Sequence, residues 1–234
     1  MAVFALPRAP IFPDPALADK DGLLAVGGDL SPQRLLAAYA LGIFPWYSDN
    51  SPILWWSPDP RLVLEPSCIH VPRRLERLLR QGRFTFSLDR VFAQVITRCA
   101  QIPRHGKIGT WIVPEMLAAY CALHDLGFAH SIEVWEDNEL VGGVYGVALG
   151  QAFFGESMFY ERSNASKAGL VILSRALHGA GFTLFDCQQV TRHMLNFGAQ
   201  IISRTEFLTR LAQAVKHNGI PGKWRLADGS LVDG

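Results

Sequence analysis

The chain predicts an α+β fold in which a mixed sheet is covered by helices and preceded by a small loop-rich lobe. Three observations predict it. Residues 1–60 are rich in proline, glycine and tryptophan and hold one well-marked helix; three strand-like stretches follow one another over residues 130–160 across turns too short for a crossover; helical patterns flank them on both sides. At 234 residues, with 49% hydrophobic and 18% charged positions, the chain can bury one substantial core and carry a small second lobe. The change of pattern divides it into residues 1–60 and 61–234.

In the first lobe the Ser31-Pro32 pair opens a helix that runs through Arg34, Leu35, Leu36 and Tyr39 toward Gly42, with a serine cap, a proline in the first turn and a glycine stop. The segment VPRRLERLLRQGR packs Arg73, Arg74, Arg77, Arg80 and Arg83 into a helix after Pro72, with Glu76 as its only acid. Arg73, Arg77 and Arg80 share one face, and Leu75, Leu78 and Leu79 another. Helices are expected over 88–99 and 114–127. The strands 130–136, 140–149 and 151–160 then form an antiparallel meander through the turns at Asp137-Asn138 and Gly150. NASKAGLVILSRALHGAG reads as a helix capped by Ser163 or Asn164, with Leu170, Leu173 and Leu177 inward and Gly179 and Gly181 ending it. The strand FTLFDCQ, a short helix near 190–196, the strand AQIIS and a last helix over 205–215 complete the chain. An N-acetyltransferase type of fold has this order. The strand-to-helix junction ERSNASK has no glycine, however, which argues against coenzyme A.

Composition excludes several classes. No apolar stretch is long enough to span a bilayer, and residues 1–15, with four prolines and Asp14, do not read as a secretory signal, so a cytoplasmic location is expected. Cys68, Cys99, Cys121 and Cys187 are irregularly spaced, which predicts reduced and mostly buried thiols and no metal site. The net charge of +1 means that a nucleic-acid partner requires a local basic patch. The arginine helix is one, although such a run also serves as a plain solvated face.

Two stretches put acids among apolar neighbours, QAFFGESMF and LFDCQ. In a regular strand Asp186 and Gln188 share a face, and Phe185 and Cys187 take the other. A bulge is expected at Gly155, turning Glu156 toward the cleft of Phe153. Alternatively, Glu156 pairs with Arg162 and Asp186 caps the helix near Val190.

The stretches GLLAVGGDLSPQRLLAAYALGIFPWY, PILWWSPDPR, GTW, LHDLGFAHSIEVW, ELVGGVYGVALG, GESMF, NASK and DCQ, with His193 and LNFGA, cover most of the chain and resemble the leucyl/phenylalanyl-tRNA–protein transferases. The resemblance implies an N-acetyltransferase-like catalytic domain at 61–234 behind a small N-terminal domain. It implies transfer of leucine, phenylalanine or less readily methionine from the charged tRNA to an N-terminal arginine or lysine, which marks the acceptor for degradation. No metal, ATP or coenzyme A is implied, because an aminoacyl ester is already activated. By the same resemblance Trp46 and Trp111 hold the terminal adenosine, the donor side chain lies among Val144, Phe153, Leu170, Leu173 and Phe185, and Glu156 with Ser157 contacts substrate. The resemblance gives Gln188 a base-like role supported by Asp186. Because a neutral amide is a weak proton acceptor, Asp186 is instead expected to hold and help deprotonate the attacking amine with Gln188 orienting it, relay through the substrate's own hydroxyl staying open. Arg73, Arg74, Arg77 and Arg80 become candidates for tRNA phosphates. Another N-acyltransferase on this fold and a non-catalytic binder of basic N-termini stay open as alternatives; a hydrolase built on Cys187 and His193 is disfavoured, since Cys187 faces away from Asp186.

Overall fold

The structure, a computed structural model, describes residues 3–102, 112–227 and 229–233. Its elements are β1 (Phe4–Ala5), β2 (Leu23–Val26), α1 (Pro32–Ala40), β3 (Phe44–Pro45), β4 (Leu54–Trp56), β5 (Arg61–Leu64), α2 (Arg73–Arg80), β6 (Thr85–Leu88), α3 (Phe92–Gln101), α4 (Pro114–Asp125), β7 (Ala129–Glu136), β8 (Glu139–Leu149), β9 (Ala152–Tyr160), α5 (Ala165–Gly179), β10 (Leu184–Gln188), α6 (Arg192–Leu195), β11 (Gln200–Ile202), α7 (Arg204–Ala214), β12 (Trp224–Ala227) and β13 (Ser230–Asp233). The meander β7-β8-β9 and the helices α1, α4, α5 and α7 fall where the sequence places them. Ser31 caps α1 by accepting the Arg34 amide at 3.4 Å.

Three local readings are corrected. The helix expected from residue 88 starts at Phe92, because residues 85–88 instead pair with β7 as an edge strand and Asp89, at φ 54°, turns the chain. Asn164 stands at the start of α5 with φ 69°, and its side chain makes no capping hydrogen bond. The chain does not finish at α7: a hairpin, β12-β13, follows, and Asp89 anchors it by accepting the Trp224 amide at 2.7 Å while the Trp224 indole stacks on His130 at 3.5 Å.

A seven-stranded sheet in the order β11-β5-β10-β9-β8-β7-β6 forms the main layer, and β1-β2-β4-β3 form a small sheet in the first lobe. Side chains alternate across the main sheet into two apolar clusters. One holds Leu35 and Tyr39 of α1, Ile96 of α3, Met116 and Tyr120 of α4, Phe207 of α7 and Phe154 of β9. The other holds Leu75 of α2, Leu170 and Leu173 of α5, Trp224 of the hairpin, and Phe153 and Phe185. Helix α5 reaches the sheet closely because Gly142 has no side chain: a Cβ there would lie 2.7 Å from that of Ala165.

All neighbouring strands of the main sheet run antiparallel except β9 and β10. These two stay in register only from Leu184↔Ala152 to Asp186↔Phe154, after which β9 continues along β8 while β10 runs on along β5 to Gln188. The sheet therefore parts at its middle, and that gap positions the site. No disulfide joins the four cysteines, and Cys99 is buried while Cys68 is exposed, so the expectation of mostly buried thiols is only partly met. Among the described residues no helix is long and apolar enough to cross a membrane.

Candidate active site

Strands β8 and β9 pair from Gly142↔Tyr160 to Tyr145↔Ser157 and again from Gly146↔Gly155, leaving Glu156 without a strand partner. The bulge expected at Gly155 is present. A side chain at that glycine would press on Phe185, with a Cβ only 2.5 Å from the ring. The direction of Glu156 differs from the expectation. Its carboxylate turns to the α1/α4 side, which Phe154 shares, and Phe153 packs on the opposite side against Phe185 and Trp224. The change of face falls after Glu156 rather than before it, since Met158 packs into the α5-side cluster.

Tyr39 donates to Glu156 Oε1 at 2.8 Å, Tyr120 donates to Oε2 at 3.2 Å, and Gln188 Nε2 donates to Oε1 at 2.8 Å. The two phenol oxygens also lie 2.5 Å apart. Burial pushes the Glu156 carboxyl up to about 7; the charge of Asp186 adds to this, and the three donors pull the other way. Burial, then the Glu156 charge, raises both phenols well above their ordinary range, so they remain donors. No ion pair joins Glu156 to Arg162, which instead lies 3.5 Å from Glu136 and 3.8 Å from Glu139.

Asp186 is fully buried and bound bidentately by Arg61, with Nε to Oδ1 at 2.9 Å and Nη2 to Oδ2 at 2.6 Å. Arg61 is itself 1% exposed and lies over the rings of Phe207 and Phe44. Asp186 Oδ1 also accepts the Gln188 amide at 2.8 Å. This corrects the role expected for Asp186: both oxygens are engaged with a cation and sealed from the cavity, so the carboxylate cannot hold the attacking amine directly. Nor does it cap α6, whose cap is Thr191. Gln188 takes φ 61° where the pairing of β10 with β5 breaks register. That left-handed turn, unusual for a glutamine, sends its amide to Glu156.

A cavity of about 780 Å³ lies where β9 and β10 part, walled by α5 and α6. Val144, Met158, Phe185 and Met194 give it an apolar floor, and Glu156 is the only carboxylate lining it among the described residues. Of the expected pocket residues, Val144, Glu156, Ser157 and Phe185 line the cavity. Phe153, Leu170 and Leu173 do not; they are at most 1% exposed and pack in the apolar cluster that also holds Val144 and Phe185. Trp46 lies outside the lining, 38% exposed and edge-on to Trp56 at 5.7 Å. Trp111 lies outside the described residues. Arg73, Arg74, Arg77 and Arg80 are exposed along α2, with Arg80 3.7 Å from Glu76; Arg83 falls beyond the helix and pairs with Glu136. Burial pushes the Cys187 thiol well up, the reverse of an activated nucleophile.

Sequence reasoning did not single out Tyr39, Tyr120 or Arg61 as site residues. Arg61 alone left a signal: it opens the apolar run RLVL, and a cation on an interior strand requires a buried anion.

A family model described as leucyl/phenylalanyl-tRNA protein transferase matches residues 63–212, and one described as the N-terminal domain of the same family matches residues 28–59. The leucyl/phenylalanyl-tRNA–protein transferase of Anaeromyxobacter sp. (strain K) is 58% identical over 226 residues, 97% of each chain. That of Solidesulfovibrio magneticus is 58% identical over 97% of this chain and 92% of its own. Among solved structures, a GCN5-related N-acetyltransferase from Kribbella flavida overlaps 76% of this chain and 63% of its own at 11% identity and a TM-score of 0.41, too loose to carry an argument about ligand or chemistry.

Proposed function

Since the chain belongs to the leucyl/phenylalanyl-tRNA–protein transferase family, and is thus an aminoacyltransferase between aminoacyl-tRNA and a protein, we propose a specific donor and acceptor for it. It transfers leucine or phenylalanine, less readily methionine, to an N-terminal arginine or lysine in the cytoplasm and so marks the acceptor for N-end-rule degradation. The observation that carries this reading is the cavity itself, an apolar floor suited to the donor side chain with one carboxylate, Glu156, held at its edge by Tyr39, Tyr120 and Gln188.

In the proposed reaction the acceptor amine attacks the ester carbonyl, a C–N bond forms, and the C–O bond to the ribose breaks. An α-amine has an unperturbed pKa of about 7.7 to 8.0, so it must shed a proton to attack. Glu156, at about 7, is matched to accept it, and the leaving ribose oxygen recovers a proton. Gln188 orients Glu156 and the amine, and Asp186 acts through Gln188 by fixing its backbone. Phe153, Leu170 and Leu173 shape the donor pocket from behind its lining, Trp46 and Trp111 hold the adenosine by stacking, and Ser157 contacts substrate. The proposed division into a lobe of residues 1–60 and a catalytic domain of residues 61–234 is supported by the two sheets, the second of which begins at Arg61.

Incubation of the protein with an arginine-starting peptide and leucyl-, phenylalanyl- or methionyl-tRNA is expected to raise the peptide mass by one residue, and an alanine-starting peptide to stay as it was. An arginine peptide of unaltered mass with all three donors would sink the reading.

The α2 arginines are proposed to contact the tRNA backbone. Arg73→Glu with Arg77→Glu removes two exposed cations one turn apart. The pair is expected to raise KM for charged tRNA by about tenfold or more and to make its salt dependence shallower by roughly 0.9 in log–log slope for each phosphate that is no longer neutralised. Unaltered tRNA kinetics and salt dependence would exclude the interaction.

A further inference from the structure

The cavity lining also carries groups opposite in charge to Glu156 that the reaction just described does not use: Lys167 of α5 and Arg192 and His193 of α6, with Ser163 and Thr191 in the same lining. Several arginines of the neighbouring surface are bound to carboxylates: Arg98 to Glu161, Arg162 to Glu136, Arg175 to Glu76. Lys167 and Arg192 have no such partner among the described residues. His193 keeps Nε2 buried without a hydrogen-bond partner among the described residues. Burial and then the charge of Lys167 hold that imidazole below its ordinary pKa. Two cations and an imidazole nitrogen without partners among the described residues, in a cavity whose described lining holds one carboxylate, Glu156, constitute an anion site.

The covalent structure of the donor says which anion. An aminoacyl group is esterified to a hydroxyl of the terminal ribose, and the 5′ carbon of that ribose carries a phosphodiester. Any cavity that holds the aminoacyl group therefore has a phosphate one ribose away. We propose that Lys167, Arg192 and His193 form a binding site for the phosphodiester next to the esterified nucleoside of the donor, distinct from the arginine stripe of α2. The proposal rests on the transferase reading above. Such a site would let the protein grip the single-stranded end of any charged tRNA without reading its bases, and would fix the distance between the ester and Glu156.

The test compares two short donors that both lack the rest of the tRNA: phenylalanine esterified to adenosine, and phenylalanine esterified to the adenosine of cytidylyl-adenosine, which adds one phosphodiester. In the wild-type protein kcat/KM for the dinucleotide ester is expected to exceed that for the adenosine ester by about tenfold or more, and to fall with salt more steeply by about 0.7 in log–log slope, the value for one phosphate of a single strand. In Lys167→Met with Arg192→Met the ratio between the two donors should collapse toward one. Any loss of folding or of cavity shape lowers both donors alike and cancels from the ratio. A ratio unchanged by the double substitution overturns the proposal. So does saturable coenzyme A binding that competes with the dinucleotide ester and is lost in the double variant, since it would assign the cations to a cofactor pyrophosphate. Transfer by the wild type from neither ester nor charged tRNA would instead bring down the transferase reading, and this site with it.

Discussion

Glu156→Gln is expected to lower kcat for aminoacyl transfer by about 10²- to 10⁴-fold, the range for removing a positioned general base. The substitution keeps the shape of the side chain and its reach to Tyr39, Tyr120 and Gln188, so the loss reports on the charge. The pH dependence supplies the sign. With the carboxyl raised to about 7, the wild-type enzyme carries mostly protonated, inactive Glu156 at pH 6 and mostly ionised Glu156 at pH 8, so kcat should climb through an apparent pKa near 7. In the glutamine variant that limb should vanish. Tyr39→Phe or Tyr120→Phe removes a donor that pulls the carboxyl down, and each should move the limb to higher pH. Stability runs the other way. A carboxyl whose folded pKa is raised contributes stability that is fully present below the ordinary value of 4.5 and is lost as pH rises through about 7. At pH 8 the glutamine variant should therefore unfold no more readily than the wild type. A pH–kcat profile that keeps its limb in Glu156→Gln, or a loss of less than about threefold, would remove Glu156 from the proton's path.

The layers of this fold were legible because the signals were local. Ser31-Pro32, Pro114, Gly127 and the turn at Asp137-Asn138 each set an element boundary through backbone chemistry that needs no distant partner. Residues 85–88 were not legible, because their strand character comes from pairing with β7, residues far away in sequence; the terminal hairpin likewise depends on Asp89 and His130. The site divides in the same way. Gly155 announced the bulge, and period two put Phe185 and Cys187 on the face away from Asp186. The side to which a bulged residue turns depends on which donors wait for it, and Tyr39 and Tyr120 lie on two helices that the sequence gives no means of docking. Asp186 was visible as a costly anion in an apolar strand, but its partner stands 125 positions earlier.

That partner makes the second large effect predictable. Arg61→Leu is expected to cost about 3 to 5 kcal/mol of unfolding free energy, because it leaves Asp186 buried, charged and without its bidentate donor. Asp186→Leu should cost a similar amount by stranding Arg61 between Phe44 and Phe207. Combining the two removes both charges from an apolar setting, and urea unfolding of the double variant should return to within about 1 kcal/mol of the wild type or exceed it, as replaced buried pairs do. Activity should not return with stability. The double variant still lacks the oxygen that accepts the Gln188 amide, so nothing fixes the left-handed turn that aims Gln188 at Glu156, and kcat should stay low while the fold is sound. That split is what separates a positioning role from a structural one. If kcat recovers together with stability, Asp186 serves the fold alone and Gln188 is aimed by other means; if the single Asp186→Leu chain is as stable as the wild type, the buried pair described here does not form.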